Sequence, residues 1–166
     1  AAVGYSGNGS STNGLLTQEG DDEYGAQLSY AADTYGLSVS YANVELSAVD
    51  TTFWAFNGYF TPTEATGFPS ISVGFEVGDS ETANVADTSQ FFVGLQWDEF
   101  GPGTLGVAMG TDGAISDNAT EYYIYEAFYS YPINDGMTIT PYVYVQEENA
   151  ANTDDTGIAV VTTFSF

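Results

Sequence analysis

The strongest constraint in this sequence is a two-residue alternation of apolar and polar side chains that recurs along most of the chain. The clearest run is ISVGFEVG at 71–78, where every odd-numbered position is apolar. Similar runs lie at 24–30, 35–41, 91–98, 105–110 and 137–146. Because successive side chains of a β-strand point to opposite faces, this period predicts strands with one apolar and one polar face. The 3.6-residue period of amphipathic helices is nearly absent.

Polar and glycine-rich connectors separate about ten predicted strands, and the lengths of these connectors alternate. Two or three residues make up the connectors at 33–34, 101–103 and 134–136, whereas ten residues each make up those at 79–88, 111–120 and 147–156. This organisation is typical of an antiparallel up-and-down meander, and in outer-membrane barrels the short turns and long loops lie on opposite sides. No shift in composition marks a domain boundary, so the sequence predicts one all-β domain over 1–166.

The charge of the chain excludes several classes of function. Its 166 residues include 23 Asp and Glu, and no Lys, Arg, His or Cys. Binding of nucleic acid needs Lys or Arg to offset the phosphate charge, so nucleic acid is excluded as a partner. Zinc sites of the usual kinds and Ser-His or Cys-His nucleophiles need residues that are absent. The classes of chemistry that the composition still allows are those of carboxylates and of cations bound through oxygen atoms.

Aromatic residues stand near both ends of several predicted strands on the apolar face. Such positions match the interfacial belts of membrane barrels, although tyrosines with their hydroxyls at the edge of a soluble β-sandwich core would give the same pattern. Alternation alone leaves both interpretations open. The residues predicted to lie at a membrane interface are Tyr24, Tyr30, Tyr35, Tyr41, Trp97, Tyr123, Tyr131 and Phe166.

Several segments resemble cyanobacterial outer-membrane porins of the carbohydrate-selective type. The resemblance is carried by SISVGFE at 70–76, QFFVGLQWD at 90–98, GTLGVAMG at 103–110, YEAFYSY at 125–131 and the final strand ending in TTFSF at 162–166. It implies a transmembrane β-barrel, either complete or the C-terminal portion of a larger one. It also implies a location in the bacterial outer membrane, with lipid and further copies (a trimer) or the rest of the barrel as partners. The implied function is passive diffusion of ions, carbohydrates and other small hydrophilic solutes, which needs no enzyme activity and no cofactor.

Polar residues within the strands are the candidates for the wall of such a pore. These pore-lining candidates are Gln27, Glu76, Gln96, Asp98 and Glu126. Because rings of Asp and Glu attract cations and repel anions, the sequence predicts a cation preference that weakens as salt rises. Paired carboxylates could instead cleave glycosides, but the spacing of these residues singles out no catalytic pair.

Two acidic connectors are candidates for binding Ca²⁺ through carboxylate oxygens. They contain Asp21 with Asp22 and Asp154 with Asp155, and the competing interpretation is a solvated acidic loop. The alternative function for the whole chain is that of an extracellular, acidic, β-rich surface protein that assembles through exposed strand edges. Calcium would have a role in this alternative as well. Divalent ions bridging the copies would offset the repulsion between their carboxylates.

Overall fold

The fold is a single antiparallel β-sheet. The computed structural model describes residues 1–7, 22–46, 49–63, 67–117, 119–147 and 153–165. The strands are β1 (Ala2–Gly7), β2 (Asp22–Ala31), β3 (Tyr35–Leu46), β4 (Val49–Phe60), β5 (Ser70–Ser80), β6 (Thr88–Phe100), β7 (Gly103–Thr111), β8 (Ile115–Ser116), β9 (Tyr123–Asn134), β10 (Met137–Gln146) and β11 (Asp155–Phe164). The prediction of an all-β, antiparallel, up-and-down architecture is confirmed.

Ten strands follow one another across the sheet almost in chain order. The order is β1-β2-β3-β4-β5-β6-β7-β9-β10-β11, and the two-residue strand β8 pairs with β6 outside this path. The prediction of about ten strands therefore agrees with the continuous path. Within the described residues β1 pairs only with β2, and β11 pairs only with β10, so the sheet is not closed as a barrel.

The connectors divide between the two ends of the sheet much as their lengths predict. The predicted short connectors all lie at one end, here called the turn end, and the predicted long connectors all lie at the other, here called the loop end. Two connectors depart from the alternation, because 47–48 is a short link at the loop end and 61–69 is a long link at the turn end. In the turn at Asp135–Gly136, the Gly136 amide donates a 2.9 Å hydrogen bond to the Asn134 side-chain oxygen.

The sheet has two chemically different faces and no second layer. In β3 the even-numbered positions (Gly36 to Val44) lie on the polar face and the odd-numbered positions (Tyr35 to Tyr41) on the apolar face. The cross-strand register carries these two faces through the neighbouring strands. No apolar side chain among the described residues is buried. The apolar face is therefore uncovered among the described residues, and Leu28 and Ile158 are 64% and 79% exposed.

Aromatic rings on the polar face lie over glycines of the neighbouring strand. In each case the aromatic residue and the glycine are direct cross-strand partners: Tyr59 with Gly36, Phe53 with Gly78, Phe92 with Gly74, Phe128 with Gly106 and Tyr144 with Gly157. A glycine leaves space above its backbone, and a cross-strand ring can fill it. This pairing explains why β4 and β9 carry aromatic residues on both faces, which made their orientation ambiguous in the sequence.

Replacing a covered glycine should destabilise the sheet, whereas replacing an uncovered one should not. A Cβ at Gly106 would overlap the Phe128 ring, so we expect Gly106→Ala to lower the free energy of unfolding by about 1–3 kcal/mol. Gly94 is the matched control, since the nearest atom to its added Cβ is the Ser72 Cβ at 4.0 Å. Urea titration in detergent measures both variants, and equal losses would contradict the role of the ring.

Candidate functional site

The apolar face carries no charged side chain across its middle zone in the described residues. The residues of this zone include Leu28, Leu37, Val39, Phe56, Val73, Phe75, Val93, Leu95, Val107, Val143, Ile158 and Val160. Acidic side chains on this face occur only toward the strand ends, for example Asp50 and Asp79 at the loop end. Contiguous exposed apolar patches on a protein surface mark contact with a partner or a membrane.

Two aromatic bands border the middle zone. The loop-end band contains Tyr24, Tyr41, Trp54, Phe91, Tyr123 and Tyr125, and the turn-end band contains Tyr30, Tyr35, Phe60, Phe68, Trp97, Phe100, Tyr129 and Tyr131. Rings touch within each band: the Tyr41 and Trp54 centroids are 4.9 Å apart, and those of Tyr30 and Tyr35 are 5.9 Å apart. On β2, β3, β4 and β6 the two bands are six residues apart, about 20 Å along a strand.

The bands run obliquely to the hydrogen-bond ladder of the sheet. Following direct cross-strand partners from Tyr30, in the turn-end band on β2, leads after six steps to Tyr125, in the loop-end band on β9. The turn-end band crosses β9 four to six residues farther on, at Tyr129 and Tyr131. Over six strand spacings this offset corresponds to a strand tilt of about 25–35° relative to the bands. Barrels need a stagger of this kind to close.

Hydroxyl groups in and beside the bands bind polar atoms near the strand ends. The Tyr5 hydroxyl donates to the Asp22 carboxylate at 2.9 Å, and the Tyr129 hydroxyl donates to the Phe100 carbonyl oxygen at 2.9 Å. At the loop end the Tyr123 hydroxyl also donates to the Glu121 carboxylate. Each of these side chains therefore presents an apolar ring to the exposed face and satisfies its polar tip at one end of the sheet.

Three carboxylates stand directly opposite one another on the apolar face at the loop end. The register pairs Asp22 on β2 with Glu45 on β3, and Glu45 with Asp50 on β4. The buried Asn43 side-chain amide donates to Asp50 at 2.9 Å and to Thr52 at 3.2 Å. The chain has no Lys, Arg or His to balance this row, so its charges repel one another.

All five pore-lining candidates lie on the polar face. Two of their carboxylates accept hydrogen bonds from glutamine side chains: Gln90 donates to Glu76 at 2.7 Å, and Gln96 donates to Asp98 at 2.6 Å. Gln27 donates to the Ser40 hydroxyl at 3.0 Å. The sheet thus assembles these residues on one surface, while their role as a pore wall stays a prediction.

A hollow of about 470 Å³ opens on the polar face over five neighbouring strands. Its lining includes Gln96, Asp98 and Glu126, with Tyr59 and Phe128 among its aromatic residues. Small residues such as Ser72, Gly94 and Ala108 also line it, which leaves room above the backbone. The hollow can hold water and small polar solutes beside two carboxylates.

The predicted calcium ligands that the structure describes lie toward opposite sides of the sheet. Asp22 begins β2, whereas Asp154 and Asp155 lie at the start of β11. Asp21 falls outside the described residues. In the part of the chain that the structure describes, no three Asp, Glu, His or Cys side chains come together as a metal site. Calcium binding stays a prediction.

The structure places every described interface candidate on the apolar face. Tyr24, Tyr41 and Tyr123 stand in the loop-end band, and Tyr30, Tyr35, Trp97 and Tyr131 stand in the turn-end band, whereas Phe166 lies outside the described residues. Trp54, whose orientation the sequence leaves open, and Phe91, which is not among the predicted interface residues, stand in the loop-end band, and each lies six residues from an aromatic residue of the other band on the same strand. This spacing is the signal that identifies them. No helix in the described ranges is long and apolar enough to cross a membrane.

Comparison of the chain with protein-family models, with curated proteins and with solved structures finds no match. The resemblance to porins therefore stays a prediction, and the functional proposal depends on the geometry of the two faces.

Removing the middle charge of the carboxylate row should stabilise the protein. We expect Glu45→Gln to raise the free energy of unfolding by about 0.2–1 kcal/mol at low ionic strength, because it relieves repulsion from Asp22 and Asp50. The gain should be smaller in 1 M salt, where the Debye length is about 3 Å, although the burial of Asp22 limits the screening of its repulsion from Glu45. Asp33→Asn, in the turn between β2 and β3, is the control with the same change of charge. A gain of the same size in low and high salt, or an equal gain in Asp33→Asn, would contradict the electrostatic explanation.

Proposed function

We propose that this chain forms the wall of a β-barrel channel in a bacterial outer membrane. The apolar face contacts lipid, and the polar face lines an aqueous path for cations and small neutral solutes, including carbohydrates. Diffusion along this path is passive and involves no covalent step. The resemblance to carbohydrate-selective porins supports the same assignment.

The observation that carries the proposal is the uncharged apolar zone between two aromatic bands. Outer-membrane barrels have an apolar band about 25 Å tall with aromatic girdles at both edges. In this sheet the two bands are six residues apart along a strand. When the widths of the aromatic rings are added, this separation agrees with the height of the apolar band in such barrels. The soluble interpretation needs a second layer over this face, since domains bury apolar faces between layers. The described residues contain no such layer.

The polar face supports a preference for cations. Asp98 and Glu126 line the hollow, and no positive side chain exists anywhere in the chain to oppose them. Carboxylates on a wall of low dielectric constant focus a field that attracts cations and repels anions. Neutral sugars are indifferent to this field and can hydrogen-bond to the Ser, Gln and carboxylate groups of the wall.

A charge placed on the apolar face should prevent insertion, whereas the same charge on the polar face should not. We expect Leu37→Arg to destabilise the inserted protein by about 2–4 kcal/mol, the penalty for Arg facing lipid near the middle of a bilayer. Ser38→Arg is the matched control, since the adjacent residue points to the opposite face. Urea unfolding in phospholipid vesicles and vesicle flotation measure the two variants.

The same pair of variants tests the extracellular alternative. An assembly in water would leave Leu37 in solvent, where it is 61% exposed, so both Arg variants would then behave alike. The channel proposal is contradicted if the wild-type chain does not float with vesicles and instead forms large assemblies that dissolve in chelator. That result would favour a calcium-bridged surface protein.

Neutralising the carboxylates of the hollow should reduce ion selectivity. In planar bilayers with a KCl gradient, we expect Asp98→Asn with Glu126→Gln to move the reversal potential toward zero. The double variant Glu45→Gln with Asp79→Asn removes two charges from the apolar face and should leave the reversal potential nearly unchanged. Anion preference in the wild type, or equal shifts in both double variants, would contradict the assignment of the polar face to the pore.

A further inference from the structure

A buried side chain at the loop end of the apolar face has one polar atom for which the described residues provide no partner. Asn43 on β3 is only 5% exposed, and its side-chain nitrogen donates to Asp50 at 2.9 Å and to Thr52 at 3.2 Å, both on β4. Its side-chain oxygen, Oδ1, is buried and accepts no hydrogen bond from the described residues. Because such an acceptor has lost its contact with bulk water, it calls for an ion, a ligand or a buried water molecule.

The hydrogen bonds of the amide determine the direction of this oxygen. The ionised Asp50 carboxylate only accepts hydrogen bonds, so the amide group that faces it must be the nitrogen. The nitrogen and the oxygen of an amide leave the same carbon atom in divergent directions. Because the nitrogen is directed to β4, the oxygen is turned away from β4, toward the side of β3 on which β2 lies.

Two carboxylates lie on that side of the same face. Asp22 on β2 is the direct cross-strand partner of Glu45, which follows Asn43 by two residues on β3. Direct partners have Cβ atoms about 4.5–5.5 Å apart, and residues two apart on a strand share a face. Asp22 is only 3% exposed, and the Tyr5 hydroxyl that donates to it is neutral. Since the chain has no Lys, Arg or His, no side chain offsets the charge of this pair.

We propose that Asp22, Glu45 and the Asn43 side-chain oxygen bind a Ca²⁺ ion. The donors are carboxylate and amide oxygens, which are ligands that Ca²⁺ takes, and water completes its coordination. Asp50 is a positioning residue, because it holds the amide nitrogen and thereby directs the oxygen. The site thus combines two carboxylates with an amide oxygen and needs no cluster of three acidic side chains. Of the calcium ligands predicted from the sequence, it includes Asp22.

The cation joins β2 to β3 at the loop-end border of the apolar face, beside Tyr24 and Tyr41. It offsets the repulsion between two adjacent carboxylates and provides the buried oxygen with a partner. Mg²⁺ is less suitable, because it demands near-octahedral geometry and loses its water reluctantly, whereas Ca²⁺ accepts irregular ligand sets. The pore-lining candidates lie on the opposite face, so the site goes beyond the proposed channel and does not depend on it.

Urea unfolding of the full chain in detergent, with EDTA or with CaCl₂, tests the site. A site with two charged ligands should bind weakly, so about 5 mM CaCl₂ is used against an expected Kd of about 10⁻⁴–10⁻³ M. Binding to the folded state alone should then lower the unfolding equilibrium constant of the wild type by about 5- to 50-fold. Glu45→Gln should be more stable than the wild type in EDTA, because repulsion is relieved, and less stable in CaCl₂, because a ligand is lost.

Two further variants and one control separate the ligands from their surroundings. Asp22→Asn and Asn43→Leu should remove most of the response to CaCl₂, since each loses one ligand oxygen. Asp79→Asn is the matched control, because it removes the same charge at the loop end of the same face but on β5. It should retain the response of the wild type. Should Asn43→Leu not fold, Asp22→Asn and Glu45→Gln still decide the outcome.

Three results would overturn the site. A response of wild-type size in both Asp22→Asn and Glu45→Gln would indicate general screening of the carboxylates, and so would an equal response of the wild type to MgCl₂. No response of the wild type to CaCl₂ would assign a water molecule, rather than a cation, to the Asn43 oxygen. None of these results bears on the channel, which vesicle flotation and the reversal potential test separately.

Discussion

The rest of the structure depends on one constraint, which is that a single-layer sheet cannot cover its own apolar face. Antiparallel ladders satisfy the backbone groups of the described strands, but no helix or second sheet among the described residues lies against Leu28, Phe56 or Phe75. Domains in water remove such faces from solvent by stacking layers. A sheet of this kind needs an apolar environment supplied from outside, and two aromatic bands at the borders of the face suit a bilayer.

The absence of basic residues determines how the charge is arranged. Every carboxylate must be solvated, bonded to a polar donor or balanced by a dissolved cation, because no ion pair with a basic side chain can form. Among the described residues, the acidic groups accordingly stand in the connectors, at the ends of the strands or on the polar face, where Gln90 and Gln96 donate to Glu76 and Asp98. The same arrangement excludes charge from the middle of the apolar face and concentrates it where an aqueous path would run.

Much of the fold could be predicted from the sequence, because strand periodicity is a local property. Runs such as 71–78 specify both a strand and its apolar face. β4 and β9 could not be oriented in this way, since Phe53 and Phe128 occupy polar-face positions. Their placement depends on Gly78 and Gly106 on neighbouring strands, and a cross-strand partner is known only when the register is known. The two aromatic bands likewise become continuous only after the strands are aligned.

The sequence by itself determined the all-β class, the alternation of faces and a surface with no positive charge, because each follows from residue identity and a two-residue period. Only the tertiary structure decided the stagger between neighbouring strands, the alignment of the aromatic bands and the placement of Gln27, Glu76, Gln96, Asp98 and Glu126 on one face. These features depend on hydrogen bonds between segments far apart in the chain, and local periodicity carries no information about which residues pair.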